Sequence, residues 1–179
     1  MTKKVIAPAA VAALSLAAAT GAFAQAATQD LNITASVPKF CAVNGSATPT
    51  ALTTTIPVSA TGVVTTTAQN FTVNNVTCNT AADVVATSTG GGVKSSTAAP
   101  SGFTNVINYT GSATFGTATS TINTATVPAA AGAEAGNTAA TAGATSGNLT
   151  ISVAPTQPAS PLISATDYSD TLRVTLTPQ

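Results

Sequence analysis

The sequence contains no histidine and no tryptophan, and charged side chains make up only 6 % of its residues. Without histidine, the Ser–His and Cys–His pairs of nucleophilic catalysis and the histidine-ligated metal sites are excluded. Two cysteines are too few to fill a zinc shell. We therefore predict no catalytic residue, no metal site and no cofactor, and expect that the protein is not an enzyme.

Two short patterns imitate catalytic motifs. Ser36 and Lys39 have a Ser-x-x-Lys spacing, but Pro38 between them prevents the helical turn that this motif needs. Asp167 and Asp170 are the only close acidic pair. They stand at the start of a strand-like run, where aspartate commonly caps turns through hydrogen bonds. We interpret both patterns as structural.

Basic side chains are scarce as well. After the first four residues, the sequence has only Lys39, Lys94 and Arg173, against five acidic side chains. Nucleic-acid binding depends on clustered lysines and arginines that displace counterions from phosphates. Because no such cluster exists, we expect no nucleic acid among the partners.

Long apolar runs are absent after the N-terminus, where the sequence is typical of an export signal. Lys3 and Lys4 precede an apolar run from Val5 to Ala19, and Ala22-Phe23-Ala24 matches the small-x-small cleavage pattern. We predict a signal peptide over residues 1–24. No later segment is long enough to cross a bilayer, so we expect an exported protein with no membrane span after cleavage.

The remaining 155 residues suit one domain and contain both cysteines, Cys41 and Cys78. An even number of cysteines in an oxidising compartment favours one disulfide. Closing this 37-residue separation would stabilise the fold by roughly 4 kcal/mol in the chain-entropy model. The alternative is a pair of free thiols that pack as small apolar groups.

Threonine and valine recur throughout this part and favour β-strands. One alternating run places Leu31, Ile33, Ala35 and Val37 on the same face, which predicts a half-buried strand. Pro38 interrupts this run, and a strand resumes at Phe40 until Asn44-Gly45 turns the chain. Further strands are predicted in residues 52–60, 70–78 with a bulge near Asn74-Asn75, 82–88, 105–115, 119–127 and 148–153.

The last alternating run covers residues 167–179, with Leu172, Val174 and Leu176 on one face. Residues 129–147 lack bulky apolar side chains and predict a long, exposed, low-complexity loop. About seven short strands separated by Gly, Pro and Asn turns predict an all-β protein built as a β-sandwich.

Three segments resemble the spore coat protein U domain family, which includes subunits of archaic chaperone–usher pili. They are "CAVNG" around Cys41, "VTCN" around Cys78 and "DYSDTLRVTLTP" near the C-terminus, in the family's order. The resemblance implies an immunoglobulin-like sandwich that lacks its final strand. In that family a periplasmic chaperone first fills the gap, and at the outer-membrane usher the N-terminal strand of a neighbouring subunit replaces it.

The resemblance assigns roles to residues of this sequence. It implies a donor strand within residues 25–38, with Leu31, Ile33, Ala35 and Val37 as the donated side chains. The sandwich would comprise residues 39–179, with a disulfide from Cys41 to Cys78. The acceptor groove would include Tyr168, Leu172, Val174 and Leu176. The ending Thr177-Pro178-Gln179 departs from the aromatic or aliphatic terminus of the family.

The function expected from the resemblance is that of a structural subunit of a secreted surface fibre, a pilus or fimbria, with a role in adhesion or biofilm formation. Its partners would be neighbouring subunits, a periplasmic chaperone and an outer-membrane usher, and its final location the cell surface. The alternative is a self-complete secreted β-sandwich, an adhesin or matrix protein, that does not polymerise.

Overall fold

Every regular element of the described chain is a β-strand, which confirms the all-β class. A computed structural model describes residues 31–47, 51–126, 134–141 and 143–179, and the predicted signal peptide lies outside these ranges. The ten strands are β1 (Cys41–Val43), β2 (Gln69–Cys78), β3 (Ala82–Ser88), β4 (Val93–Lys94), β5 (Val106–Ile107), β6 (Tyr109–Phe115), β7 (Ala118–Asn123), β8 (Glu134–Ala140), β9 (Thr145–Pro155) and β10 (Leu172–Pro178). Within these ranges no helix could cross a bilayer.

The strands form two main antiparallel sheets and a short ribbon. The larger sheet has the order β1-β2-β9-β6-β7, the smaller one the order β10-β3-β8, and β4 pairs with β5. Residues 37–179 make up one compact unit, whereas residues 31–36 belong to a separate N-terminal unit. The two main sheets pack as a β-sandwich, while the immunoglobulin-like topology stays a prediction.

The core lies between the inner faces of the two sheets. Val76, Val84 and Phe115 are fully buried there, and Ile122 and Leu149 are nearly so. Burying one such side chain contributes about 1.5–3 kcal/mol. The sandwich is closed on the side where β7 packs beside β8.

The predicted bulge in the second strand is confirmed. The register of β2 against β9 shifts between Val73 and Val76, so the inward positions change parity there. Asn75 adopts a left-handed conformation with φ 56°, and its side-chain amide donates a hydrogen bond to Asn44 Oδ1 at 3.0 Å. Asn44 and Gly45 also have positive φ values and form the predicted turn, closed by bonds between Val43 and Ser46.

The prediction of a loop over residues 129–147 is wrong for much of that segment. β8 occupies Glu134–Ala140 and pairs with β3, and β9 begins at Thr145. Main-chain bonding to β3 needs no bulky side chains, and Ala139 is large enough to pack against the core. Thr141 Oγ1 accepts a bond from the Ala82 amide at 2.9 Å and fixes the end of β8.

Several predicted strands are shorter than expected, interrupted or absent. Residues 31–37 are not assigned to any strand, because alternation alone does not supply a hydrogen-bonding partner. Residues 52–60 contain only an isolated bridge from Val58 to Val64, with Pro57 removing a ladder donor. The last strand begins at Leu172 rather than at Asp167, because the main chain of Ser169 bonds to Lys94 and the Thr171 amide bonds to the Asp170 side chain.

Candidate functional site

An open groove runs along the side of the sandwich opposite to β7 and β8. Its volume is about 2160 Å³, and β1 and β10 both line it. The predicted acceptor residues Tyr168, Leu172, Val174 and Leu176 all lie in this groove.

The floor of the groove is apolar but incompletely covered. Phe71, Val73 and Ile151 from the larger sheet face Leu172 and Val174 from the smaller one, and all of these side chains are half-buried. The inward residues of β7 on the closed side of the sandwich are buried. The difference is that no described strand covers this part of the core.

The main chain of β10 is open along the groove. Thr89 N donates to Thr171 O at 3.1 Å, and Gln179 N donates to Ala81 O at 2.8 Å, so the odd-numbered residues of β10 bond to β3. Hydrogen-bonded and non-bonded pairs alternate in antiparallel sheets. The N–H and C=O groups of Leu172, Val174 and Leu176 therefore point away from β3, and no described residue pairs with them.

Pro178 lies at the end of this open row. It has an even number in β10, so its missing N–H falls on the groove side and removes no bond to β3. The chain thus presents three open donors, at Leu172, Val174 and Leu176, before the row ends.

The opposite rim is much less accessible to a partner strand. β1 has only three residues, and the tight turn folds Ser46 back onto it. Val43 N donates to Ser46 O and Ser46 N donates to Val43 O, both at 2.8 Å. Short edge strands and local turns are common ways to block strand addition. Strand pairing in the groove is therefore possible mainly at β10.

The predicted disulfide is confirmed at the start of β1. Cys41 and Cys78 are directly opposite each other in the β1–β2 ladder, with Cα atoms 4.1 Å apart. Because Asn79 N bonds to Phe40 O in the neighbouring pair, the two cysteines form a non-hydrogen-bonded pair, the position where side chains approach most closely. The bridge attaches the short β1 to the long β2.

Asp170 accepts hydrogen bonds from several segments at the other end of the groove. Its Oδ1 accepts bonds from the amides of Gly90 and Thr171, both at 2.7 Å. Its Oδ2 accepts bonds from Ser88 Oγ at 2.6 Å and Tyr109 Oη at 2.7 Å. Gly90 has no space for a side chain, since a Cβ there would lie 3.0 Å from Asp170 Oδ1.

The pKa of Asp170 reflects these contacts. Burial alone would raise it, but the bonds from Ser88, Tyr109 and the Gly90 and Thr171 amides outweigh burial and lower the pKa below its usual value. Burial is also the main reason why the pKa of Tyr109 is raised. The carboxylate stays charged and the phenol neutral, the combination that their hydrogen bond requires.

Asp167 makes a separate cluster on the surface. It accepts bonds from Ser95 Oγ at 2.6 Å and from the Ser96 amide at 2.8 Å, and bonds from the Ser95 and Ser96 side chains lower its pKa to about 2. Tyr168, in the groove, donates to Ile163 O at 3.1 Å. Each aspartate thus organises a different loop.

No group of three or more potential metal-ligating side chains occurs in the described part of the chain.

The predicted donor residues have exposed side chains. Leu31 is 81 % exposed, Ile33 84 % and Val37 74 %, and Ala35 is also exposed. Exposure of several large apolar side chains at alternating positions is unusual for a stable surface.

The sequence did not identify Phe71, Val73 or Ile151 as groove residues, because their position depends on pairing between distant strands.

The fold and its groove define a class of protein: a disulfide-linked β-sandwich in which the open edge of β10 lies beside an apolar cleft. The chain matches none of the family models, curated proteins or solved structures with which it was compared. The resemblance to the spore coat protein U domain family stays a prediction from the three sequence segments.

Proposed function

We propose that the protein is a structural subunit of a secreted surface fibre, assembled when the N-terminal strand of one copy enters the groove of the next. The observation that carries the proposal is the open edge of β10 beside half-buried Leu172, Val174 and Leu176. A donated strand would pair the open main-chain groups and cover the apolar floor at the same time.

The occupant that we propose is the segment of residues 31–37 from a second copy. Its apolar side chains alternate, as do those of β10, and they are exposed. The segment has no charged residue, which suits a groove with an apolar floor. A contact between two different surfaces of identical subunits does not close on itself, so it would extend into a filament.

The remaining roles are those that the resemblance to the spore coat protein U domain family implies. Before assembly the groove would need protection, which a periplasmic chaperone would provide, and an outer-membrane usher would join the subunits. The fibre would act in adhesion or biofilm formation at the cell surface. Because Pro178 ends the row of open donors, a chaperone strand would pair mainly with residues 172–176.

The test compares substitutions on the two faces of each strand in the exported protein. Val174→Asp places a charge in the groove, whereas Thr175→Asp changes the neighbouring exposed residue. Ile33→Asp and Thr34→Asp form the same pair in the donor segment. We expect heat-resistant multimers on gels for the natural protein, Thr175→Asp and Thr34→Asp, and their loss in Val174→Asp and Ile33→Asp.

Two results would reject the proposal. Multimers that persist in both charged variants would show that neither the groove nor the donor segment mediates assembly. A natural protein that stays monomeric, with the amides of residues 31–37 protected from hydrogen exchange, would instead favour the self-complete secreted sandwich.

A further inference from the structure

One side chain holds the three residues that connect the donor segment to β1. Asn79 follows the disulfide-bonded Cys78 at the end of β2. Its Nδ2 donates to Pro38 O at 2.8 Å, and its Oδ1 accepts the Phe40 amide at 2.8 Å. Its own amide donates to Phe40 O at 3.1 Å. Residues 38–40 are here called the root.

Apolar packing cannot explain how the root is held. Pro38, Lys39 and Phe40 are all exposed, and Phe40 is exposed by 42 %. The β1–β2 ladder supplies one bond, from Asn79 N to Phe40 O, and the Asn79 side chain supplies the other two. An asparagine is suited to this position because its side chain has both a donor and an acceptor.

We infer that Asn79 is a positioning residue for strand donation, acting on the donating subunit through the root. Fixing residues 38–40 beforehand reduces the conformational freedom that the adjoining segment loses when it docks. Asn79 is not among the residues that line the groove. The inference rests on the proposed function, and it requires that loss of Asn79 impairs donation but not acceptance.

A pair of full-length variants separates the two roles. Val174→Asp blocks the groove, so this subunit can only donate, whereas Ile33→Asp blocks the donor segment, so this subunit can only accept. Mixing the two variants should give a dimer and no larger multimer. Asn79→Ala is then added either to the donating or to the accepting partner, and the rate of dimer formation is measured.

We expect Asn79→Ala to slow dimer formation about fivefold in the donating partner, the effect of roughly one net hydrogen bond, and to leave the rate unchanged in the accepting partner. Asn79→Asp keeps the acceptor for the Phe40 amide and should slow donation less. The control is Asn70→Ala, at an exposed asparagine on β2, which should have no effect in either partner.

Equal rates for Asn79→Ala and the parent donor would overturn the inference, and so would equal slowing in both partners, which would indicate a general folding defect. If the pair with Asn79 intact forms no dimer, the proposed function fails, and this inference with it.

Leu176→Asp serves as a second groove-blocked donor in case Val174→Asp does not fold. Hydrogen exchange of the Phe40 amide gives an independent readout, and unchanged protection in Asn79→Ala would also contradict the inference.

Discussion

Asp170 receives hydrogen bonds from three side chains and three main-chain amides. The side chains belong to Ser88, Thr89 and Tyr109, and the amides to Gly90, Gly92 and Thr171. These donors join the end of β3, the glycine turn after it, β6 of the other sheet and the start of β10. In a chain with so few charged residues, one carboxylate connects the two sheets at one end of the groove.

Replacing Asp170 by asparagine should therefore destabilise the fold. The substitution removes the charge and turns one accepting oxygen into an NH₂ group that faces other donors. We expect the free energy of unfolding, measured by urea denaturation, to fall by about 2 kcal/mol. Asp167→Asn is the matched control because this residue is on the surface, and it should lower stability less. Equal losses for the two variants would contradict the connecting role of Asp170.

The lowered pKa values of both aspartates predict a loss of stability in acid. A carboxyl whose pKa is lower in the folded state stabilises the fold at pH values above its unfolded-state pKa of about 3.9. This stabilisation is lost as the pH falls through the folded-state pKa. For Asp167 this window extends down to about pH 2. We expect the urea midpoint to be constant from about pH 7 to 5 and to fall below about pH 4. The double variant Asp167→Asn/Asp170→Asn should show a shallower fall, and an unchanged slope would refute the assignment.

At the scale of elements, side-chain alternation predicted the strands that carry large apolar residues. β9 was identified because Leu149, Ile151 and Val153 recur at every second position, and β3 was delimited by the run of three glycines that follows it. β8 was missed because its small residues give no such signal, although its main chain pairs with β3 in the same way. Conversely, residues 31–37 have the pattern of a strand without being one, since a pattern does not provide a partner.

The groove could be predicted only in part for the same reason. Leu172, Val174 and Leu176 belong to one alternating run, so the sequence indicates their common face. Phe71 and Ile151 are far apart in sequence and meet only through the pairing of β2 with β9. Asn79 could not have been found from the sequence, because its partners depend on the register of β1 against β2.

The bulge in β2 allows a prediction about that element alone. Asn75 has φ 56°, a conformation that asparagine and glycine tolerate and β-branched residues do not. Asn75→Val should lower the free energy of unfolding by about 2 kcal/mol. Asn75→Gly keeps the conformation and loses only the bond to Asn44, so it should cost clearly less. Urea denaturation of both variants checks this, and equal losses would mean that the conformation is not the cause.

At the scale of the whole molecule, the two sides of the sandwich differ in how they end. Where β7 packs beside β8, the inward residues of β7 are buried. Along β1 and β10, the inward residues are half-buried and the main chain of β10 is open. Because stability depends on covering apolar surface and pairing main-chain groups, the protein with an empty groove should be less stable than the protein with an occupied groove.

An added strand should therefore stabilise the folded protein by mass action. The acceptor is the full-length Ile33→Asp variant, whose own segment cannot enter a groove, and the ligand is a synthetic peptide of residues 25–38. A ligand that binds only the folded state at 100 times its Kd raises the free energy of unfolding by about 2.7 kcal/mol. We expect the urea midpoint to rise with peptide concentration, and to stay constant with a control peptide that carries Ile33→Asp.

Two further variants of the acceptor test whether the peptide binds in the groove. Adding Val174→Asp to the acceptor should abolish the rise in the urea midpoint, whereas adding Thr175→Asp should leave the rise unchanged. A midpoint that does not respond to the natural peptide would show that the groove is not a binding site for this strand.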